Sequence, residues 1–356
     1  MNPQKVILSE QLEQTLSQAV DECAHDKTFI LVDETTRQLC LPVVERFSCL
    51  NGAHVITIGA TDTHKTLESL AHVWEELGRM GATRHTLLIN IGGGMVTDLG
   101  GFAASTFKRG INYINIPTTL LSMVDASVGG KTGINFRGLK NEIGVFNNAA
   151  SVILDTQFLR TLDRENILSG YAEMLKHGLI SDEKMWAELM NFEMDDFCQG
   201  TDQALFGQLQ RMVADSVAVK QRIVTEDPLE QSIRKALNLG HTAGHAFESF
   251  ALQHTPLLHG YAVAYGLICE LYLSAIKTGF PTDKMRQTVH FIREHYGRMQ
   301  ITCDDYPTLL ELMTHDKKNM AGIINFTLLG EIGDIRINQT ATKDEIYEAL
   351  DFYREG

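Results

Sequence analysis

The sequence predicts two domains of different fold class, an α/β domain over residues 1–163 and an all-α domain over residues 164–356. The chain has 356 residues, more than a single hydrophobic core usually holds. In its first half, short apolar segments alternate with helical periodicities. From about Arg164 onward the periodicity is helical, with almost no strand pattern before residues 325–329. Since 44% of the residues are hydrophobic, each domain can bury a core.

Five short segments of the first half are β-rich and mostly apolar in runs, which is typical of strands in a mostly parallel sheet covered on both faces. The predicted strands span residues 28–33, 53–59, 86–91, 113–116 and 152–155. Between the second and third, apolar residues at 67, 70, 71, 74 and 77 predict a helix that packs one face. Strands alternating with helices indicate a doubly wound α/β domain, and we expect the ligand site in a cleft between the two domains.

Composition excludes several classes of protein. The net charge of −14 argues against a nucleic-acid-binding surface. No apolar run is long enough to span a membrane, and the first residues lack the apolar core of a signal peptide. The six cysteines are scattered without metal-binding or redox spacing, so we expect reduced thiols in a cytoplasmic protein. In so acidic a chain, a local cluster of lysine and arginine is expected to have an anionic ligand.

A glycine-rich turn follows the third predicted strand. Gly92, Gly93 and Gly94 lead into a helix predicted to run through Phe107. Backbone N–H groups at such a turn can bind a pyrophosphate, but the spacing is not GxGxxG, so a tight turn remains the alternative. The upstream loop TDTHK, with Asp62 and Lys65, becomes interesting if it borders the same cleft.

Residues 116–144 form one segment crowded with small polar and basic side chains, and we predict that it is irregular. Its GGKT sequence lacks the first glycine of a Walker motif. A glycine pair before Lys131 still suits close approach of the backbone to a phosphate, with a flexible surface loop as the alternative. The candidates here are Thr118, Thr119, Asp125, Ser127, Gly129, Gly130, Lys131, Thr132, Lys140 and Asn141.

Residues 234–248, RKALNLGHTAGHAFE, are predicted to form one helix with a polar stripe. At 3.6 residues per turn, Arg234, Asn238, His241, His245 and Glu248 fall within an arc of about 80°. The other faces carry apolar and small residues, which indicates a helix packed on most sides. A metal ion and an anionic ligand would compensate the buried polar groups, so we interpret the stripe as an active-site wall rather than a solvated basic strip.

Histidines and one glutamate are candidate metal ligands. His241 and His245 stand at i, i+4, and His259 opens a further apolar helix. Upstream, SGYAEMLKHG places Glu173 and Lys176 on one helical face. Catalytic zinc usually takes three protein ligands and leaves a position open for substrate. Spacing alone does not choose three ligands from these three histidines and Glu173, and histidines satisfied within the core are the alternative.

Taken together, these segments resemble the dehydroquinate synthase family of sugar phosphate cyclases. The resemblance runs from about Thr28 to Gly333. It rests on the ordered motifs GGGMVTDLGGFAASTFKRG, IPTTLLSMVDASVGGKTGIN, LKNEIG, SGYAEMLKHG, SIRKALNLGHTAGHAFE, LLHGYAVAYG and HDKKNMAG. Any one of these motifs is weak, whereas their joint occurrence in this order is highly specific.

The resemblance implies a Rossmann-like NAD-binding first domain and a metal- and substrate-binding second domain. It implies one divalent metal ion, zinc or cobalt, on Glu173, His241 and His259, and leaves His245 to contact the substrate phosphate. Spacing alone would have favoured His245 as a ligand. The residues implied for NAD are Asp62, where the family usually has glutamate, and Lys65, Gly93, Gly94, Asp98, Thr118, Thr119, Asp125, Lys131, Lys140, Phe158 and Thr161.

The resemblance also implies the substrate pocket and a homodimer. The pocket residues are Lys131, Asn141, Lys176, Lys220, Arg234, Asn238, His245 and a lysine of the DKK motif, for which we choose Lys317 over Lys318. Arg109 is implied to reach the substrate phosphate of the neighbouring subunit.

The implied reaction belongs to the shikimate pathway and converts 3-deoxy-D-arabino-heptulosonate 7-phosphate to 3-dehydroquinate and phosphate. It proceeds by transient oxidation with NAD, phosphate elimination, re-reduction and intramolecular aldol closure. One alternative is a cyclase of sedoheptulose 7-phosphate or glucose 6-phosphate. Those substrates lack a carboxylate and would leave Arg234 and Lys220 without an anionic partner. Further alternatives are a metal-dependent polyol or glycerol-phosphate dehydrogenase, which would release NADH, and a non-catalytic NAD or metal sensor.

Overall fold

The computed structural model describes residues 4–137, 139–200, 202–252, 255–314 and 323–355. Its contacts divide the chain into two compact units, Met1–Asp163 and Arg164–Gly356. The first unit is an α/β domain and the second is helical apart from one β-hairpin, so the predicted fold class is confirmed. Within the described residues, no helix has the length and apolarity needed to cross a membrane. All six cysteines are free.

The first unit contains a six-stranded sheet in which each neighbouring pair of strands is parallel. Its strands and those of a separate hairpin are β1 (Lys5–Leu8), β2 (Thr28–Asp33), β3 (His54–Ile58), β4 (Leu87–Gly92), β5 (Asn112–Pro117), β6 (Lys131–Phe136), β7 (Leu139–Phe146) and β8 (Ser151–Leu154). The spatial order is β1-β8-β5-β4-β2-β3, while β6 and β7 pair with each other in antiparallel fashion. All parallel strands therefore present their carboxyl ends at one edge of the sheet.

The five predicted strands are present as β2, β3, β4, β5 and β8, with ends within one residue of the prediction. Two predictions were incomplete. The sequence analysis missed β1, and it treated residues 116–144 as irregular where the structure has the β6–β7 hairpin. Every residue of β7 is exposed, so the strand carries no buried apolar pattern that periodicity could have detected.

The helices of the first unit are α1 (Leu12–Glu22), α2 (Glu34–Leu39), α3 (Leu41–Val44), α4 (Leu67–Arg79) and α5 (Gly94–Thr106). The helix predicted from apolar spacing is α4. Helix α5 follows the glycine turn and packs closely on β4. A Cβ at Gly100 would lie 2.1 Å from Oδ1 of Asn90, so only glycine permits this approach of helix to strand.

The second unit is built from nine helices and a hairpin in the part of the chain that the structure describes. They are α6 (Arg164–Ser181), α7 (Glu183–Met190), α8 (Met194–Gln199), α9 (Gln203–Glu226), α10 (His241–Ala251), α11 (His259–Thr278), α12 (Thr282–Tyr296), α13 (Tyr306–Thr314), α14 (Lys343–Glu355), β9 (Asn325–Glu331) and β10 (Asp334–Thr340). Strand β9 was predicted, and its antiparallel partner β10 was not.

Glycines set the contact between α10 and α11. A Cβ at Gly266 would lie 2.0 Å from the carbonyl oxygen of Gly240, and one at Gly244 would lie 2.9 Å from that of Ala262. Real side chains do not tolerate such distances, so the two helix backbones pack directly against each other. Two helices that each begin with a histidine are thereby held at close range.

The prediction of one helix over residues 234–248 was wrong. Residues Ile233–Asn238 form a 3₁₀ helix, Leu239 is non-helical, and Gly240 is left-handed with φ of 78°. Helix α10 then begins at His241. Because glycine adopts a left-handed conformation without steric cost, the chain breaks its helical path there. Arg234 and Asn238 therefore do not continue the helical face that carries the two histidines.

Candidate active site

Three side chains from three helices of the second unit converge. Glu173 lies in the middle of α6, His241 is the first residue of α10, and His259 is the first residue of α11. One ligand atom from each lies within 4.8 Å of the others. Oε1 of Glu173 is 3.5 Å from Nε2 of each histidine. This cluster of Glu173, His241 and His259 is the ligand triad.

The Nδ1 atoms of both histidines face oxygen atoms that can only accept a hydrogen bond. Nδ1 of His241 lies 3.1 Å from the carbonyl oxygen of Leu239, and Nδ1 of His259 lies 3.4 Å from Oε2 of Glu248. Both Nδ1 atoms therefore carry a proton, and the Nε2 atoms, which face Glu173, are the atoms that a metal ion would bind in place of a proton. Bonds of 2.0–2.1 Å at tetrahedral angles would put two zinc ligands about 3.4 Å apart. The distances from Oε1 of Glu173 to the two Nε2 atoms thus fit a zinc-sized cation.

Glu173 is fully buried, with 0% of its surface exposed. Its Oε2 accepts a hydrogen bond from the ammonium of Lys176, whereas Oε1 accepts none from the described residues. Burial alone would raise the pKa of this carboxyl, but Lys176 and the two imidazoles outweigh burial and hold the pKa well below its usual range. The carboxylate is therefore ionised, with one oxygen available to a cation.

The surroundings of the His259 imidazole favour a positive charge on it. Burial alone would lower its pKa, yet the carboxylates of Glu248 and Glu173 outweigh burial and raise that pKa to about 10. The same electrostatic field favours a metal cation at Nε2.

His245 borders the ligand triad. Its ring centroid lies 5.4 Å from that of His241 and 6.0 Å from that of His259. His245, Glu248 and His259 form a second group whose ligand atoms are close enough to share a metal ion. Distances alone therefore allow either group to be the metal site. The two Nε2 atoms facing a fully buried carboxylate favour the triad with Glu173.

Buried cations complete this part of the second unit. Lys176, Lys220 and Arg234 expose 1%, 6% and 2% of their surface. Nη1 of Arg234 donates to the carbonyl oxygen of Pro228 at 2.6 Å, and the Arg234 amide donates to Asp227 at 3.1 Å. Lys176 is paired with Glu173, and keeping two further cations out of water is costly, a cost that an anionic ligand would lower.

Asn238 is tied to the same loop. Its amide nitrogen donates to Oε1 of Glu230 at 2.9 Å, so its orientation is set by a neighbouring segment of the second unit. Lys317 and Lys318 lie outside the described residues.

In the first unit, many of the candidate residues follow the carboxyl ends of parallel strands of one sheet. Asp62 and Lys65 come after β3, Gly93 and Gly94 after β4, and Thr118 and Thr119 after β5. Phe158 and Thr161 lie in the 3₁₀ helix that follows β8, and Asp125 lies in a short π-helix. In open α/β sheets, ligands bind at this edge.

Lys65 joins the TDTHK loop to the helix that follows the glycine turn. Its buried ammonium lies 2.5 Å from Oδ2 of Asp98 in α5 and 2.5 Å from Oδ1 of Asn141 in β7. Lys140 lies 3.5 Å from Oδ2 of Asp62. The loop after β3, the first turns of α5 and the β7 strand thus meet in one cluster.

The glycine turn is closely packed against the segment after β5. The amide of Thr118 donates to the carbonyl oxygen of Gly92 at 2.9 Å, and a Cβ at Gly93 would lie 3.1 Å from the methyl group of Thr119. Helix α5 begins at Gly94 with no side-chain cap, so its first backbone N–H groups are placed to bind an anion.

Sequence reasoning missed one contact that an acidic residue makes at the ligand triad. Glu248 was noted only within the polar stripe, and its contact with His259 required the tertiary structure.

Arg109 lies far from the glycine turn of its own unit. It is exposed in a 3₁₀ turn after α5, and α5 has 13 residues, so the helix separates it from the glycine turn by about 20 Å. Lys108, Arg109 and Gly110 all have positive φ, at 50°, 72° and 116°. For the two residues other than glycine this conformation is unfavourable.

Both units of the chain match models of the same protein family. Residues 55–169 match the model of the 3-dehydroquinate synthase N-terminal domain, and residues 170–319 match that of the C-terminal domain.

Individual relatives agree with the family models. The chain is 54% identical to a 3-dehydroquinate synthase of Parabacteroides distasonis, covering 100% of this chain and 99% of that protein. It is 32% identical to a 3-dehydroquinate synthase of Streptococcus pyogenes, covering 97% and 95%. A solved 2-epi-5-epi-valiolone synthase from Streptomyces hygroscopicus, with NAD⁺ and Zn²⁺ bound, has a TM-score of 0.88 at 25% identity over 99% of this chain and 97% of that one. The chain is therefore an enzyme that belongs to the 3-dehydroquinate synthase family.

Proposed function

We propose that the chain converts 3-deoxy-D-arabino-heptulosonate 7-phosphate to 3-dehydroquinate and phosphate, with NAD and one divalent metal ion. The observation that carries this proposal is the ligand triad beside buried Lys176, in a chain whose relatives are named for this product. When bound, NAD accepts and returns a hydride, and the metal polarises a substrate hydroxyl.

Glu173, His241 and His259 would hold the metal, zinc or cobalt. The support is geometric: Oε1 of Glu173, which accepts no hydrogen bond from the described residues, lies 3.5 Å from Nε2 of each histidine. Three protein ligands leave a coordination position for substrate, as catalytic zinc sites require. Structural relatives with NAD⁺ and Zn²⁺ or Co²⁺ bound are consistent with either metal.

The buried cations would bind and orient the substrate. Arg234 and Lys220 suit its carboxylate, because a guanidinium can bind a carboxylate with two parallel hydrogen bonds. His245 would contact its phosphate, and the further residues proposed to line the pocket are Lys131, Asn141, Asn238 and a lysine of the DKK motif. Since the substrate's own phosphate can accept the proton that elimination removes, the residues act mainly by positioning and charge stabilisation.

The first unit would bind NAD at the carboxyl edge of its sheet. The amino end of α5 suits the pyrophosphate, with Thr118 and Thr119 alongside. Lys65, Asp98 and Lys140 would contact the nucleotide. Asp62, which has a shorter side chain than the glutamate usual in the family, is exposed and contacts Lys140. We therefore expect Asp62 and Lys140 to contact the nucleotide together.

Phosphate release tests the proposed function. We expect the purified chain to release inorganic phosphate from the heptulosonate phosphate, with activity lost when NAD or metal is removed and no net accumulation of NADH. NADH accumulating in proportion to substrate consumed would instead identify a polyol or glycerol-phosphate dehydrogenase. Equal turnover of sedoheptulose 7-phosphate would identify a sister cyclase.

Arg109 would act in the active site of a second subunit of a homodimer. The support is its exposed position, its distance of about 20 Å from the glycine turn along α5, and its unfavourable backbone conformation. Strained residues at an exposed tip indicate that the side chain has a role elsewhere.

Mixing two inactive variants tests this arrangement. Arg109→Ala and Lys176→Ala should each be inactive as homodimers. A mixture should recover up to about a quarter of wild-type activity, because statistical exchange makes half of the dimers mixed and each mixed dimer has one intact site. Subunit exchange is followed by mass spectrometry of differently tagged chains. Exchange without recovered activity would contradict the role of Arg109 in the neighbouring subunit.

A further inference from the structure

The first turn of α10 has an unusual cap. The first N–H groups of a helix lack partners within the helix, and a side chain just before the helix usually accepts from them. At α10 that position is Gly240, which has no side chain. The acceptor comes from α11 instead. Glu270 accepts from the amides of Gly240 at 2.6 Å, Thr242 at 2.9 Å and Ala243 at 3.1 Å.

Glu270 makes these contacts with 0% of its surface exposed. A buried carboxylate is costly unless hydrogen bonds and nearby positive charge compensate it. Here both oxygens are engaged, and the positive end of the α10 dipole faces the charge. The carboxylate is thus fixed to the backbone on both sides of one residue, His241.

We propose that Glu270 is a positioning residue for the metal ligand His241, an inference that rests on the metal site of the proposed function. His241 lies between two amides that Glu270 binds, those of Gly240 and Thr242. Its own Nδ1 donates to Leu239, just before the break at Gly240. Backbone rotation at this turn would move Nε2 away from Glu173.

Helix α11 therefore serves both imidazole ligands. It begins with His259, and three turns later its Glu270 fixes the turn that carries His241. The contact between α10 and α11 does not depend on Glu270, because Gly244 and Gly266 allow the backbones to touch directly. Loss of the carboxylate would free the first turn of α10 while the helices stay packed.

The test compares Glu270→Gln with a matched control on the same helix, Ser274→Ala. Glutamine keeps the size of the side chain but places an NH₂ group against backbone N–H groups. Ser274 is equally buried; its hydroxyl accepts from the amide of Leu329 at 3.1 Å and donates to the backbone carbonyl of Glu270 at 2.7 Å, so Ser274→Ala perturbs the same stretch of α11 without touching the Glu270 carboxylate. Metal-stripped protein is titrated with Zn²⁺ against a chelator, its Co²⁺ form is examined by visible absorption, and thermal unfolding is recorded without metal.

We expect Glu270→Gln to bind Zn²⁺ about 10- to 100-fold more weakly than wild type, with a changed Co²⁺ spectrum. Ser274→Ala should lose thermal stability while keeping wild-type metal affinity and spectrum. Unchanged affinity and spectrum in Glu270→Gln would overturn the proposal and leave Glu270 as a cap that only stabilises the fold.

If Glu270→Gln does not fold, Glu270→Asp replaces it, since aspartate keeps the charge but is one methylene shorter. The same loss of affinity is expected, and wild-type binding in a folded Glu270→Asp would contradict the proposal. Wild-type protein is titrated first. Failure of wild type to bind Zn²⁺ or Co²⁺ would refute the metal site itself, a result distinct from a normal wild type with a normal Glu270 variant.

Discussion

Glu173→Ala is expected to abolish metal binding and to lower turnover by about a thousand-fold or more, since a catalytic metal supplies several kcal/mol of charge stabilisation. Glu173 provides the oxygen that lies 3.5 Å from both imidazole nitrogens, so its loss removes one of three ligands. It also leaves the buried ammonium of Lys176 without its carboxylate. Glu173→Gln, which keeps the volume, separates the loss of the ligand from the loss of packing. Metal content is measured by elemental analysis.

His245→Ala is the matched control for that result. The side chain lies beside the ligand triad but is assigned to the substrate phosphate, so the variant should keep one metal ion per chain while losing most turnover. A metal-free His245→Ala with a metal-replete Glu173→Ala would show that the cation sits on His245, Glu248 and His259 instead.

Arg234→Ala is expected to lose most of kcat/KM for the heptulosonate phosphate. Removing one partner of a buried charge pair typically costs about 3–5 kcal/mol, a factor of several hundred or more. The guanidinium exposes only 2% of its surface and is held by the Pro228 carbonyl, so it is fixed in place before an anion arrives. Arg234→Lys should recover part of the activity, because lysine keeps the charge but not the paired hydrogen bonds.

Zinc content and NAD binding should stay normal in Arg234→Ala. The loss of the Pro228 contact will lower stability, so kinetics are measured well below the unfolding temperature. Arg164→Ala is the control, because that arginine is partly exposed and pairs with Asp195 on the surface; its kinetics should match wild type. Near-normal kinetics in Arg234→Ala would refute the carboxylate role and favour a cyclase acting on a sugar phosphate without a carboxylate.

The parallel sheet was predictable because burial of a strand on both faces restricts its sequence to mostly apolar residues. Strands β2, β4 and β5 are mostly apolar and buried at nearly every position. The exposed strand β7 has no such requirement and went undetected. The break before α10 was missed because residues on both sides keep helical spacing, while the break itself is a local backbone event at Gly240.

The candidate site was predictable only in part, since spacing relates residues of one helix and not of three. It placed His241 and His245 on one face but could not show that His259 and Glu173 face the same point as His241. The choice of ligands came from the family resemblance. The contact of Glu248 with His259 joins two helices, and Glu270 reaches the first turn of α10 from α11; periodicity carries no information on contacts between helices.

At the turn formed by Lys108 and Arg109, selection for stability and selection for activity favour different residues. Glycine would adopt the positive φ angles of 50° and 72° with less cost, by about 1 kcal/mol for each residue. A population selected for thermal stability alone would drift toward glycine here and shed the guanidinium. A population that must make the enzyme's product itself, with none supplied, would retain arginine and accept the weaker fold if the guanidinium acts as proposed. Which residue survives at position 109 in a laboratory lineage thus reports which property was under selection.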